Sequence, residues 1–403
     1  MEVTKDADLA ADLRAHWPIL VTAMLGWALD AFDFTMFLFL IPRLNEVFQT
    51  GLPAMSLVVT ATGLAKVVGT IGWGAVSDRF GRKFPLIISV LWFSLFSALS
   101  GLAWSYMSLL GLRILFGLGF GGEWSISAAL LMESVPRRLQ GIASGIMMLG
   151  FEVGYLLAAL AFRVVYPVAD WRWMFALGAL PALLTLLIRS SVSESAAWRA
   201  TRLETRKRPP LKLTPAMIQG WALLAALNFM SWAIFALYPT FLITVRHLEP
   251  SAVFPFIATY SVASIVGKPL AGRIVQHIGE RSLIITYLIL TIPSALLYTL
   301  IDSSVAAYAG AILMGLVPNS IFGIVPMYLA RRFPVAHRGT GVGIGWAMGG
   351  VSVIAPPVIA IFTPIWGLGA AMTGFIVLGA VISMIIAAFS TERWISEPTV
   401  TSA

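Results

Sequence analysis

Apolar residues recur along this chain in long runs separated by short polar stretches. A run of about twenty such residues, rising about 1.5 Å each as a helix, crosses a hydrocarbon core of about 30 Å. Twelve runs can be marked, at roughly 18–42, 54–76, 85–104, 107–134, 140–166, 171–190, 216–243, 252–275, 282–301, 304–330, 338–363 and 366–391. Lipid offers the backbone no hydrogen-bond partners, so a spanning segment this long must satisfy itself as a helix. The longest polar stretch, 191–215, falls after the sixth run and contains Arg199, Arg202, Arg206, Lys207, Arg208 and Lys212. The pattern therefore predicts a tail at 1–17, a six-helix bundle at 18–190, a central loop at 191–215, a second six-helix bundle at 216–391 and a tail at 392–403.

Composition agrees with lipid as the main solvent. Hydrophobic residues make up 59% of the 403 positions and charged residues 11%, far from the balance of a water-soluble domain. The formal charge of +8 raises the prospect of nucleic acid. The basic residues are instead spread over alternate connections, namely Arg79, Arg82 and Lys83, then Arg137 and Arg138, the central stretch, Arg273 and Arg281, and Arg331, Arg332 and Arg338. The other connections hold only Arg43, Arg163, Arg172 and Arg246. That asymmetry places both termini in the cytoplasm by the positive-inside rule and speaks against a nucleic-acid partner. The predicted location is the cell membrane, with the lipid bilayer as partner. There is no cysteine, and His16, His247, His277 and His337 lie far apart, so no metal site and no cofactor is expected.

The halves repeat. Gly81 and Gly279, Gly117 and Gly315, Pro136 and Pro334, Gly141 and Gly339, and Gly145 and Gly343 are each 198 positions apart, as parallel repeats of a transporter would leave them. Between the second and third runs stands Gly74-Ala-Val-Ser77-Asp78-Arg79-Phe-Gly81-Arg82-Lys83. This loop resembles the signature of the major facilitator superfamily. The resemblance implies an all-α membrane protein of twelve transmembrane helices in two pseudo-symmetric six-helix bundles, working as a monomer. Asp78, Arg79 and Arg82 are then candidate gating residues, with Glu133 in the same inner charge network; the bland alternative is a solvated basic turn.

Charges inside spans are costly and usually serve a pathway or relay. Asp30 and Asp33 share a face of the first run, Lys66 lies in the second, Arg113 and Glu123 in the fourth, and Glu152 in the fifth. Counting helical rise puts Asp33 about 22 Å above the inner start of its span and Arg113 about 9 Å below the outer start of its own. At nearly equal depth, the two are expected to meet across a central cavity. A carboxylate there takes up or releases a proton as the guanidinium moves. Arg113 could equally grip a substrate carboxylate. Lys66 and Glu152 are read either as working charges or as buried pairs that fix packing. Lys268, near an inner helix end, is read as snorkelling to the interface.

Asp30-x-x-Asp33-Phe34, Gly121-Gly-Glu123-Trp124 and Glu133-Ser-Val-Pro136 before Gly141-x-x-Ser144-Gly145 are similar to the sialate and monocarboxylate proton symporters and to the related aromatic-acid symporters. This closer resemblance covers runs one to five. It implies proton-coupled import of a small organic anion such as lactate, pyruvate or sialate, using Asp30, Asp33, Arg113 and Glu123. In the second half Asn228, Trp232, Tyr238, Tyr260, Asn319 and Trp346 are candidate pocket residues by position, and Pro318-Asn319 and Pro356-Pro357 should interrupt their helices. Competing readings are an aromatic-acid or sugar symporter, a drug antiporter, and a non-transporting scaffold. An enzyme is not expected, since no nucleophile stands beside a base.

Overall fold

A computed structural model describes residues 2–81, 83–136, 140–180, 182, 213–330, 332 and 338–389. Each predicted run coincides with helix, the sixth only in its first part. In the first half these are α1 (Glu2–Phe48), α2 (Leu52–Phe80), α3 (Lys83–Ser100), α4 (Tyr106–Ser134), α5 (Gln140–Val164) and α6 (Trp171–Leu177). Ten of the spans among the described residues are long and apolar enough to cross a membrane by length and composition. Residues 2–17, placed in the tail, are helical, since α1 runs unbroken from Glu2 into the first span. The central loop beyond residue 182 and before 213, and the tail at 392–403, lie outside the described residues.

Local chemistry fixes several helix starts. Ser105 and Ser108 form a reciprocal capping box at α4, each side chain accepting from the other's backbone N–H. The Asp170 carboxylate accepts from the Trp171 N–H to open α6.

The second half is less regular. Its seventh span is broken into α7 (Pro215–Phe235) and α8 (Tyr238–Thr244), followed by α9 (Phe254–Ile278) and α10 (Glu280–Thr299). The tenth span is α11 (Ser304–Leu316), a 3₁₀ turn at Asn319–Gly323 and α12 (Val325–Ala330). The eleventh is α13 (Arg338–Gly350), a 3₁₀ turn at Val351–Ile354 and α14 (Ala355–Trp366), and α15 (Leu368–Ala388) closes the bundle. The interruptions adjoin Pro318-Asn319 and Pro356-Pro357, where a proline ring removes one helical bond and crowds the preceding turn.

The repeat is also structural. Gly81 and Gly279 end α2 and α9 with nearly the same backbone, φ 97° and 80°, a conformation that favours glycine. A Cβ on Gly117 would strike the Thr62 carbonyl and the Ala65 side chain. On Gly315 it would strike the Tyr260 carbonyl and the Ala263 side chain, the positions 198 residues on. The same pair of helices is thus drawn together in the same way twice, by small residues that let backbones touch.

The halves meet along two seams. At one, Thr60 Oγ1 on α2 donates to the Val353 carbonyl at 2.9 Å. At the other, the Tyr155 ring on α5 packs edge-on against Tyr260 and Phe235, 6.3 and 6.1 Å between centroids, and Arg163 covers the Phe254 ring at 5.5 Å.

Candidate functional site

A cavity of about 990 Å³, counting its open part, separates the halves. Its wall takes residues from α1, α2, α4 and α5 on one side and from α7, α9, the Asn319–Gly323 turn and α13 on the other. Asn228, Trp232, Tyr260, Asn319 and Trp346 all line it. Tyr238 does not: it is fully buried, stacked 3.9 Å from the Tyr298 ring. The break at residues 236–237 turns the chain after Phe235, so the helical face that brings Asn228 and Trp232 to the cavity does not continue to Tyr238.

One ion pair crosses the cavity wall. Lys268 Nζ on α9 donates to Glu152 Oε1 on α5 at 2.9 Å, and both side chains are buried. Asn319 Nδ2 donates to the same oxygen at 2.7 Å and to Ser264 Oγ at 2.6 Å. The snorkelling expected of Lys268 is therefore wrong. Its helix continues ten residues further, to Ile278, about 15 Å at helical rise, which leaves the ammonium far from that helix end and beside a carboxylate.

Asp33 and Arg113 do come together, but not across the cavity. Arg113 Nη1 lies 3.8 Å from Asp33 Oδ1, with both side chains fully buried inside the first bundle and neither on the cavity wall. Ser97 Oγ donates to the same Asp33 oxygen at 2.6 Å. The guanidinium rests on aromatic faces, 4.0 Å from the Phe116 centroid and 5.1 Å from that of Phe37. Equal depth was legible from helical rise; the direction in which each side chain points was not. In this conformation Arg113 cannot reach a solute in the cavity.

A second charge cluster lies closer to the cavity. Asp30 and Glu123 are both buried, and Ser127 Oγ donates to Glu123 Oε1 at 2.8 Å. Gly26, one turn before Asp30, leaves the space that Glu123 fills, since a Cβ there would press on Oε1. Lys66 lines the cavity with Nζ 3.8 Å from the Phe120 centroid and 4.9 Å from that of Trp27. Among the described residues it forms no ion pair. Trp27 and Phe120 were missed as wall residues, although each stands three positions before a marked acid, on the same helical face.

Of the gating candidates, Arg82 lies outside the described residues. Asp78 and Arg79 fall in α2 and Glu133 in α4, with their side chains outside the described set.

A family profile described as Major Facilitator Superfamily matches residues 23–259. A probable 4-methylmuconolactone transporter of Cupriavidus pinatubonensis JMP 134 is 31% identical over 359 residues, 83% of this chain and 82% of its own. The sialic acid transporter of Escherichia coli K12 is 28% identical over 381 residues, 92% of this chain and 91% of its own. The partially occluded, inward-open xylose transporter of Escherichia coli superposes with a TM-score of 0.78 at 17% identity, over 93% of this chain and 99% of its own. At that identity the likeness is one of fold.

Proposed function

Because the chain belongs to the Major Facilitator Superfamily, and is thus a multi-pass membrane transporter and not an enzyme, we propose that it imports a small organic anion together with protons by alternating access. One observation carries this reading: the cavity wall bears two cations, Lys66 and Lys268, against one carboxylate, Glu152. A monoanion entering the space restores the balance, and low-dielectric walls make that balance matter. Buried acids stand behind the wall, Asp30 and Glu123 one turn along the helices whose Trp27 and Phe120 flank Lys66, and Asp33 beside Arg113, as groups that exchange protons during transport must. The muconolactone and sialic acid carried by the two relatives support a small, acid-bearing solute. The basic inner connections support the cell membrane with both termini cytoplasmic, and transport requires only one copy.

The wall also favours a ring-bearing acid over lactate or pyruvate. The Phe34 ring stacks on Phe120 at 5.7 Å and meets Trp232 edge-on at 5.5 Å, all three lining the cavity. Flat aromatic faces of this kind match a flat solute.

The test is uptake of labelled lactate, pyruvate, benzoate and sialic acid into proteoliposomes under an imposed pH gradient. One pH unit, acid outside, should concentrate the carried acid by about tenfold for each proton moved with it, since a unit is worth about 1.4 kcal/mol. A protonophore should collapse that gain. Accumulation indifferent to the gradient, or export against it, would refute the reading.

A further inference from the structure

We infer that Lys268 and Asn319 form a carboxylate-binding subsite in the second half of the chain. Glu152 of the first half fills it when the cavity is empty, and the solute's carboxylate takes it over on arrival. The exchange removes an ion pair between the halves, so seating the solute unfastens them at that point. This rests on the reading of the chain as an organic-anion carrier and names where the anion is held.

The first ground is the origin of the groups. Among the described residues, both donors to Glu152 come from the second half: Lys268 Nζ on α9 at 2.9 Å and Asn319 Nδ2, in the 3₁₀ turn of the tenth span, at 2.7 Å. Asn319 is braced in turn, its amide donating to Ser264 Oγ at 2.6 Å. Only the acceptor, on α5, belongs to the first half. The backbone beneath the donors is closely packed. A Cβ on Gly267 would strike Ser320 Oγ and the Leu316 backbone, and one on Gly323 would press on Lys268 itself. Such packing holds an ammonium and an amide in place before a ligand comes. Two directed donors, one of them charged, suit a carboxylate.

The second ground is the way Glu152 is held. Both donors meet Oε1, and among the described residues Oε2 is buried without a hydrogen-bond partner. A buried ion pair gains from its contact chiefly when its remaining lone pairs are satisfied, and those of Oε2 are not. Lys268 and Asn319 lose nothing when another carboxylate replaces this one, because the new oxygen accepts from the same two donors. The third ground is position. Glu152, Lys268 and Asn319 all line the cavity, so a solute there meets the pair directly.

Charge agrees with the exchange. The empty wall sets Lys66 and Lys268 against Glu152. With the solute on Lys268, the wall and its guest hold two cations and two carboxylates, and Lys66 offsets the released Glu152. Lys66 makes the poorer anchor, because its ammonium lies over the faces of Phe120 and Trp27, which attract charge without fixing an orientation. Glu152 therefore competes with the solute for Lys268. The affinity observed is that of the bare subsite reduced by the fraction of molecules in which Glu152 leaves it open.

The experiment is calorimetric titration of purified protein with the acid that wild type accumulates, among lactate, pyruvate, benzoate and sialic acid, beside infrared difference spectra of the same complex. Lys268→Gln should weaken binding by about tenfold or more, the loss of a charge-assisted contact, and Lys268→Arg should restore much of it. Glu152→Gln should tighten binding by about tenfold, because the resident carboxylate no longer competes. In wild type, adding the acid should shift a carboxylate stretch that is missing from Glu152→Gln. Acid isotopically labelled at its carboxylate should show its own band moved from the free-solution position. Unchanged affinity in Lys268→Gln overturns the proposal, as does a Glu152→Gln protein that binds no more tightly than wild type, or a Glu152 band that stays in place. Should the variants aggregate, a labelled band at its free-solution position in wild type still refutes it. Any of these results beside normal accumulation leaves the carrier reading standing. A wild-type protein that accumulates none of the acids refutes that reading itself, and this proposal with it.

Discussion

Arg113 is a confined charge: fully buried, 3.8 Å from Asp33 and otherwise pressed against aromatic rings. Removing its carboxylate partner would leave a guanidinium in a dry site, a change that costs about 3–5 kcal/mol where both groups are buried. Asp33→Ala should therefore lower the melting temperature of the purified protein substantially. Asp33→Ala combined with Arg113→Met should recover much of the loss, because the stranded charge goes too. A double variant no more stable than Asp33→Ala alone would show that the two side chains are not energetically coupled. Lys268 teaches the same lesson from the other direction. Read alone, a lysine near a helix end belongs at the interface; its true setting depends on Glu152, which arrives from the other half of the chain.

At the scale of helices, the paired glycines decide how closely α2 approaches α4 and α9 approaches α11. Gly117 and Gly315 face backbone carbonyls, which cannot swing aside as a flexible side chain could. Gly117→Val and Gly315→Val should each force the helices apart, at an overpacking cost of about 1–3 kcal/mol or more. The check is the yield of monodisperse protein by size exclusion, expected to fall for both. Normal yield from either would mean that the close approach at that glycine is dispensable. The break in the tenth span, by contrast, places a polar group on the cavity. Asn319 opens its 3₁₀ turn and reaches both Glu152 and Ser264 from there. Irregular backbone is tolerated at membrane depth where it lines a cavity, as it does here.

For the whole molecule, alternating access, where the chain works by it, requires that contacts between the halves part. Thr60 and Val353 form one of them, and Gly63 on α2 packs against the same valine. Since the chain has no cysteine, Thr60→Cys with Val353→Cys offers a clean cross-link. Under oxidant, uptake should fall to background, and reductant should restore it; each single variant should transport throughout. Undiminished uptake by the cross-linked protein would show that this seam does not open during the cycle.

Much of this architecture is set by local physics and so is readable from order alone. Twelve apolar runs, their proline breaks, the basic connections and the 198-residue repeat each reflect a segment's own length, chemistry or spacing. Depth along a helix is equally local, which is why Asp33 and Arg113 could be placed at one level by counting residues. Direction around the helix is another matter. A side chain's neighbours depend on the tilt and rotation of helices packed together, and these brought Lys268 to Glu152, turned Arg113 away from the cavity, and set Lys66 between two aromatic rings. Residue order alone sets which charges enter the membrane and how deep; packing between helices sets which of them meet, because contact across helices is a property of no single one.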